Sequence, residues 1–321
     1  MKHHRSTTQP RTHLHTRSRT ATRSGTTRVV TAGIDGSYAS LDAADWAARE
    51  ALRQGVPLRL LHAGTAPAHS ARVRRLPASA ERARGLLDRA AITLSYLHPA
   101  LEIHAQQPAG PTVAALLAAS AEAETLVLGS RGLTGFPGFL VGSVAAAVTA
   151  RAERPVVLVR AGERPEDAHA PDDDGTPSRG TPYRPVVLGL DPSRPGEAPT
   201  EYAFDAATAR EAPLHVVHAW TMAPLDAYAP GRVLPADLAG LERDNRQALS
   251  AALEPWRRKY PEVRVVERIC FGRAGHHLLK AATGASLLVI GRRRTGGPHL
   301  GRTAHSAMHH VTCPIAVVPH D

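Results

Sequence analysis

Gly129, Gly132, Gly142 and Ser143 stand in the spacing Gly-x2-Gly-x9-Gly-Ser. The run leaves an apolar segment, Thr125 to Leu128, and enters an Ala- and Val-rich one, Val144 to Ala150. A strand, a glycine-rich loop and a helix start, in that order, make an anion site. Glycines let the backbone come close to oxygens, unpaired N–H groups at the helix start face outward, and the helix dipole favours negative charge. A phosphate group is the ligand this chemistry fits; the bland alternative is a pair of ordinary loops with glycine caps. Asp35, in Ile34-Asp35-Gly36-Ser37, closes another apolar run. A carboxylate there can accept from ribose hydroxyls or help hold a divalent cation at the phosphates, while Asp-Gly-Ser is equally good turn chemistry.

The elements that position these groups occur twice. Val29 to Ser37 returns as Pro185 to Ser193, and Leu60-Leu61-His62-Ala63 returns as Val216-Val217-His218-Ala219. Gly110 to Gly129 runs without a gap against Gly272 to Gly291, and each half closes on an apolar strand, Val156–Val159 or Ile315–Val318. So long a period is a domain duplication, not a solenoid. Short apolar runs alternate with helical patterns, the mark of an α/β fold with a parallel sheet covered on both faces.

In the first half the strands are expected at residues 29–34, 58–62, 101–105, 125–128 and 156–159, with helices near 40–54, 79–97, 111–123 and 141–150. In the helix near 40–54, Leu41, Ala44, Ala48, Ala51 and Leu52 share one face, with Trp46 near its flank. The second half repeats the order, with strands at 186–190, 214–219, 264–269, 287–290 and 315–318. Right-handed crossovers then give two tandem doubly wound five-stranded sheets in the order 3-2-1-4-5, ligands gathering at the carboxyl ends between strands 1 and 4. The short apolar closing strands of the two halves are expected to cover each other's open edge, forming a pseudo-twofold pair. The chain thus divides into a disordered basic tail (1–28), a first domain (29–160), a flexible, exposed Pro/Gly/Asp-rich linker (161–184) and a second domain (185–321).

Composition narrows the function. Forty-three per cent apolar residues suffices for two cores, and no apolar stretch approaches the ~18–20 residues that cross a bilayer. Two cysteines, Cys270 and Cys313, are too few for a disulfide framework, and an N-terminus without an apolar core argues against a secretory signal; both favour a cytoplasmic setting. The net charge of +10 is mostly local, because residues 1–28 hold Lys2 and six arginines with no acid. That tail is either a nucleic-acid contact or a solvated segment, and it lacks the aromatic residues that stack on bases.

With these motifs in view the chain resembles the universal stress protein family, in its tandem two-domain form typical of actinobacteria. Gly129, Gly132, Gly142 and Ser143 match the family's nucleotide motif at every position, and Asp35-Gly36-Ser37 and the Pro155-Val156-Val157-Leu158-Val159 strand match as well. The resemblance implies the ATP-binding subclass, with ATP and Mg²⁺ in the first half. Asp35 would contact ribose or the cation, and the backbone at Gly129, Arg131 and Gly132 would approach ribose and phosphates. Gly142, Ser143 and Val144 would bind phosphate oxygens, with Ala63 beside the adenine. Homodimerisation and an unidentified regulatory protein partner follow from the same resemblance.

The second half departs from the pattern. Asp191 and Gly291 are kept, but a gapless comparison puts Arg294 at the place of Gly132, Ala304 at Gly142 and His305 at Ser143. Two readings stand: a degenerate site that stabilises the pair, or an altered anion site that grips phosphate through side chains. Gly296-Gly297-Pro298 reads as a mobile loop there in either case.

No Walker lysine, defensible Ser-His-Asp set or paired carboxylates accompany the loop, so the expectation is a nucleotide-responsive regulatory module with no catalytic residues and no metal held by protein alone. Slow ATP hydrolysis, or ATP-dependent activation of the adenine-nucleotide alpha hydrolase kind, is the alternative. The latter would need a Ser-Gly-Gly-x-Asp-Ser loop where this chain has Asp35 to Ser40.

Overall fold

The structure, a computed structural model, describes residues 28–64, 78–132, 139–221, 235–295, 297 and 300–321. The basic tail before Arg28, the x9 loop over 133–138, and Gly296, Pro298 and His299 lie outside the described residues. The first half runs β1 (Val30–Gly33), α1 (Tyr38–Gln54), β2 (Leu58–Leu61), α2 (Ala78–Leu97), β3 (Ile103–Gln106), α3 (Thr112–Glu122), β4 (Thr125–Gly132), β5 (Phe139–Leu140), α4 (Ser143–Thr149) and β6 (Val156–Arg160). The second half repeats this as β7 (Val186–Gly189), α5 (Glu197–Thr208), β8 (Leu214–Trp220), α6 (Pro235–Lys259), β9 (Val265–Phe271), α7 (Ala274–Ala282), β10 (Leu287–Arg293), α8 (Arg302–His310) and β11 (Ile315–His320).

The strand order is β3-β2-β1-β4-β6-β11-β10-β7-β8-β9. Each half therefore has the 3-2-1-4-5 order, and the two sheets fuse into one through β6 and β11. These pair antiparallel, Leu158 opposite Ile315 and Val156 opposite Val317, as the expected covering of open edges requires. Central strands apolar on both faces feed two buried layers. One contains Trp46, Leu60, Val157, Val159, Ala316 and Phe204; the other contains Leu126, Leu128, Leu158, Leu288, Ile315 and Met308. Both layers cross the seam, so the halves share their cores.

Helix α1 starts where Ser37 accepts from the Ser40 N–H at 3.2 Å and stops at Gly55, whose φ of 65° suits a residue without Cβ. Its buried face is made of alanines, Ala43, Ala44, Ala47, Ala48 and Ala51, together with Trp46. Leu41 and Leu52, expected on that face, are each 40% exposed. Close approach of α1 to the sheet selects small residues, which overrides the leucine periodicity.

The linker is also different from expectation. It is strapped to α1: Glu163 takes a 2.5 Å bond from Arg49, Tyr183 accepts from Arg53 at 3.2 Å, and the Gly162 N–H donates to Asp42 at 2.7 Å. A short 3₁₀ turn at Pro165–Ala168 and a bridge from His169 to Tyr183 shape the rest. Turn-rich composition conceals this, because what fixes the segment is two α1 arginines reaching a carboxylate and a phenol.

The Glu163 side chain is only 4% exposed, and its second oxygen is buried without a hydrogen-bond partner. Burial pushes this carboxyl up to about 7 despite Arg49, with Asp167 and Asp45 adding in the same direction. A raised acid favours the folded state most while protonated, so stability should fall as pH rises from about 4.5 to about 7. Glu163→Gln should remove that slope, about 3 kcal/mol at most. Urea melts at pH 5 and pH 8 check this; an unchanged pH dependence in the variant refutes it.

Candidate functional site

Strand β1 pairs with β2 on one side and β4 on the other, so the carboxyl ends of β1 and β4 mark the topological switch point, where ligands of such sheets gather. Asp35 lies just beyond β1, exposed. Its Oδ1 accepts from the Ser37 N–H at 2.9 Å and the Ser37 hydroxyl at 2.6 Å, an Asx turn that sets Ser37 to cap α1. Asp191 does the same for Ser193 at 3.0 and 2.7 Å. Both aspartates thus hold the turn after the first strand. Ala63 follows β2 half-buried, its carbonyl accepting from Thr112 at 3.2 Å, which fixes the start of α3 beside the end of β2.

The strand does not stop at Gly129. β4 continues through Gly132, because Gly129 and Ser130 are in register with Val159 and Arg160 of β6, and Arg131 and Gly132 pair with β5. Gly129 is glycine for a packing reason: a Cβ would lie 2.4 Å from the Ala39 carbonyl oxygen and 2.7 Å from the Ser40 nitrogen. Gly291 shows the same crowding, 2.6 Å from the His320 ring. Gly142 is the opposite case. It is the N-cap of α4, with φ −62° and no side-chain cap, and among the described residues a Cβ there would meet nothing within 4 Å. Among the described residues neither packing nor backbone conformation demands glycine at 142. Ser143 and Val144 follow it, exposed.

The second copy corrects the gapless comparison. Gly301 is the N-cap of α8, as Gly142 is of α4. The counterpart of Gly142-Ser143-Val144 is therefore Gly301-Arg302-Thr303, and the intervening loop is three residues shorter. Ala304 and His305 belong inside the helix, where the His305 ring meets the His309 ring edge to face at 4.5 Å. Arg294 forms an exposed ion pair with Asp321 at 2.5 Å. Neither Arg294 nor His305 lines the cleft, whereas Asp191 and Gly291 do. That cleft is a cavity of about 790 Å³ at the carboxyl ends of β7, β8 and β10.

One repeated feature had no assigned role in sequence. The His62 ring donates to the Ile34 carbonyl at 2.6 Å, and His218 to Leu190 at 3.1 Å, each tying the second strand to the end of the first. The repeat of His62 at His218 was the signal available. Among the described residues no group of three or more His, Cys, Asp or Glu could hold a metal ion, and no helix is long and apolar enough to cross a membrane. Cys313 is buried, and burial pushes its thiol up to about 12, which keeps it protonated and unreactive.

Two doubly wound sheets fused through their closing strands, with a cavity at the carboxyl ends of the second copy's strands, define a tandem α/β protein. The universal stress protein family model matches residues 26–160 and 182–319. Universal stress protein Rv1996 of Mycobacterium tuberculosis is 30% identical over 317 residues, covering 91% of this chain and 96% of the relative. Universal stress protein Rv2005c of the same organism is 27% identical, covering 90% and 96%. Among solved structures, a universal stress protein from Archaeoglobus fulgidus superposes with a TM-score of 0.64 at 18% identity, over 92% of this chain and 99% of that one. A functionally unknown protein from Pseudomonas aeruginosa gives 0.56 at 17%, over 92% and 93%. The two structural likenesses bear on the fold alone. The chain belongs to the universal stress protein family, as a tandem two-domain member.

Proposed function

We propose that the N-terminal copy binds an adenine nucleotide, ATP with Mg²⁺, and that the chain works as a nucleotide-responsive regulatory module of the stress response, not as an enzyme. The observation that carries this is Gly142. A glycine that neither its backbone angles nor its described neighbours require, at a helix start without a side-chain cap in a complete Gly-x2-Gly-x9-Gly-Ser motif, leaves room for phosphate oxygens against the Ser143 and Val144 amides. The exposed Asp35 fits a cation or ribose contact, the β4 backbone at Gly129, Arg131 and Gly132 borders ribose and phosphates, and Ala63 borders the base. Magnesium, when bound with the nucleotide, offsets the triphosphate charge; the chain supplies amides and hydroxyls that orient it. Loading the cleft changes the surface offered to a protein partner or a second copy of the chain.

Gly132→Arg tests this reading. Calorimetry with ATP and Mg²⁺ should show one strong site in the parent chain and at least a 10-fold weaker one in the variant, since a long side chain enters the phosphate path. Equal affinities would place the nucleotide elsewhere.

A further inference from the structure

The second copy carries a histidine pair that the first lacks. With Gly301 at the place of Gly142, His305 and His309 of α8 fall at the places of Ala146 and Ala150. The four-residue interval sets both side chains on one face of the helix, a turn apart. α8 packs on the core through Ala304, Ala307 and Met308, which leaves His305 exposed and His309 half-buried. The helix is regular through both positions. The His305 N–H donates to the Gly301 carbonyl at 2.9 Å, and the Val311 N–H to the Ala307 carbonyl at 3.1 Å.

The two rings meet with centres 4.5 Å apart and planes at 63°. A histidine nitrogen lies about 2.0–2.1 Å from a bound zinc, which puts the ring centre about 3.2 Å from the metal. Two such ligands roughly 90–110° apart have ring centres about 4.5–5 Å apart. His305 and His309 therefore already stand at the separation of imidazoles that share one cation. Other histidines serve the fold: His62 and His218 tie strand ends, His98 meets Asp45 at 2.8 Å, and His169 meets the Thr181 carbonyl at 2.6 Å. His276 and His277 are adjacent in α7, so their side chains leave the helix about 100° apart, and His277 meets the Phe271 carbonyl at 3.0 Å.

The donor set selects the ion. Neutral imidazole suits zinc, copper and nickel, whereas magnesium and calcium take oxygen ligands. Neither histidine is among the residues lining the cavity of the second copy, so the pair is a different site. Two protein ligands and water suffice for it, without the cluster of three donors that is missing among the described residues.

We propose that His305 and His309 chelate a divalent transition cation of the zinc class on the outer face of α8, with water at the remaining coordination positions. The bound ion ties successive turns of a nine-residue helix together.

The test is urea unfolding of the intact chain in saturating Zn²⁺ and in EDTA. A chelate that exists only in the helix stabilises the folded state, whereas metal caught by histidines elsewhere is common to parent and variant. Zn²⁺ should raise the folding constant at least about 10-fold more in the parent than in His305→Ala or His309→Ala. Each single variant should lose as much as the double, because one imidazole is not a chelate, and His310 should not substitute for His309. In EDTA all of them should unfold near the parent's midpoint, since α8 packs through Ala304, Ala307 and Met308. Mg²⁺ should produce no such difference, and His276→Ala/His277→Ala should respond to Zn²⁺ as the parent does. Equal zinc responses in the parent and His305→Ala, a response reproduced by Mg²⁺, or one lost in His276→Ala/His277→Ala overturns the proposal.

Discussion

Arg210→Ala is expected to destabilise the folded chain by about 3–5 kcal/mol at pH 7, the usual cost of stranding a buried charge. Arg210, just past α5 of the second copy, donates to Glu50 of α1 in the first at 2.7 Å, and both side chains are at most 2% exposed. The guanidinium also lies 6.0 Å over the Trp46 ring. Burial alone would raise the Glu50 carboxyl; Arg210 and Arg53 outweigh it and hold the group down at about 2. A depressed acid contributes stability above its unfolded value of 4.5 and loses it as pH falls toward 2.

Without Arg210, Glu50 keeps only Arg53 and Gln54. It should take up a proton at higher pH, so the variant's deficit should be largest at neutral pH and shrink below about 4.5. Glu50→Gln in the Arg210→Ala background removes the stranded charge and should recover at least half of the loss. Urea melts at pH 7 and pH 4 measure both. A deficit under 1 kcal/mol, or no recovery in the double variant, would mean that the pair does not bind the two copies together.

This ion pair was invisible in sequence, and the reason is general. Periodicity reports which face of a segment is apolar, and that was enough for the strand order, because the duplicated runs from Val29 and Pro185 specify the same sheet twice. Periodicity says nothing about which polar groups meet across a seam. Glu50, Arg49 and Arg53 read as ordinary helix surface, yet they meet Arg210, Glu163 and Tyr183 from distant parts of the chain. The motif residues were legible as a set but not in their separate roles. Spacing put Gly129, Gly132 and Gly142 on one loop, whereas the fold places the first two in β4 and the third at a helix cap. In the second copy a three-residue shortening hid Gly301 behind Ala304, and the aromatic end of β8 was a Trp with no partner in view until β9 supplied Phe271.

The division of labour among those glycines gives the second large effect. Gly129→Ala should lower stability by about 1–3 kcal/mol or more, with or without ATP. The obstructing atoms, the Ala39 carbonyl and the Ser40 nitrogen, are backbone of the first turn of α1 and cannot rotate aside. The helix must move off β4, loosening the Trp46 layer behind it. Gly291→Ala should cost less, because its nearest neighbour is the His320 side chain, which can swing away. Gly142→Ala, with open space and a φ of −62°, should stay within about 0.5 kcal/mol of the parent in stability while weakening ATP binding. Urea melts of the three variants, each with and without ATP and Mg²⁺, read the order directly. If Gly129→Ala instead keeps full stability and loses only nucleotide affinity, the glycine serves the ligand and the packing account of β4 against α1 is wrong.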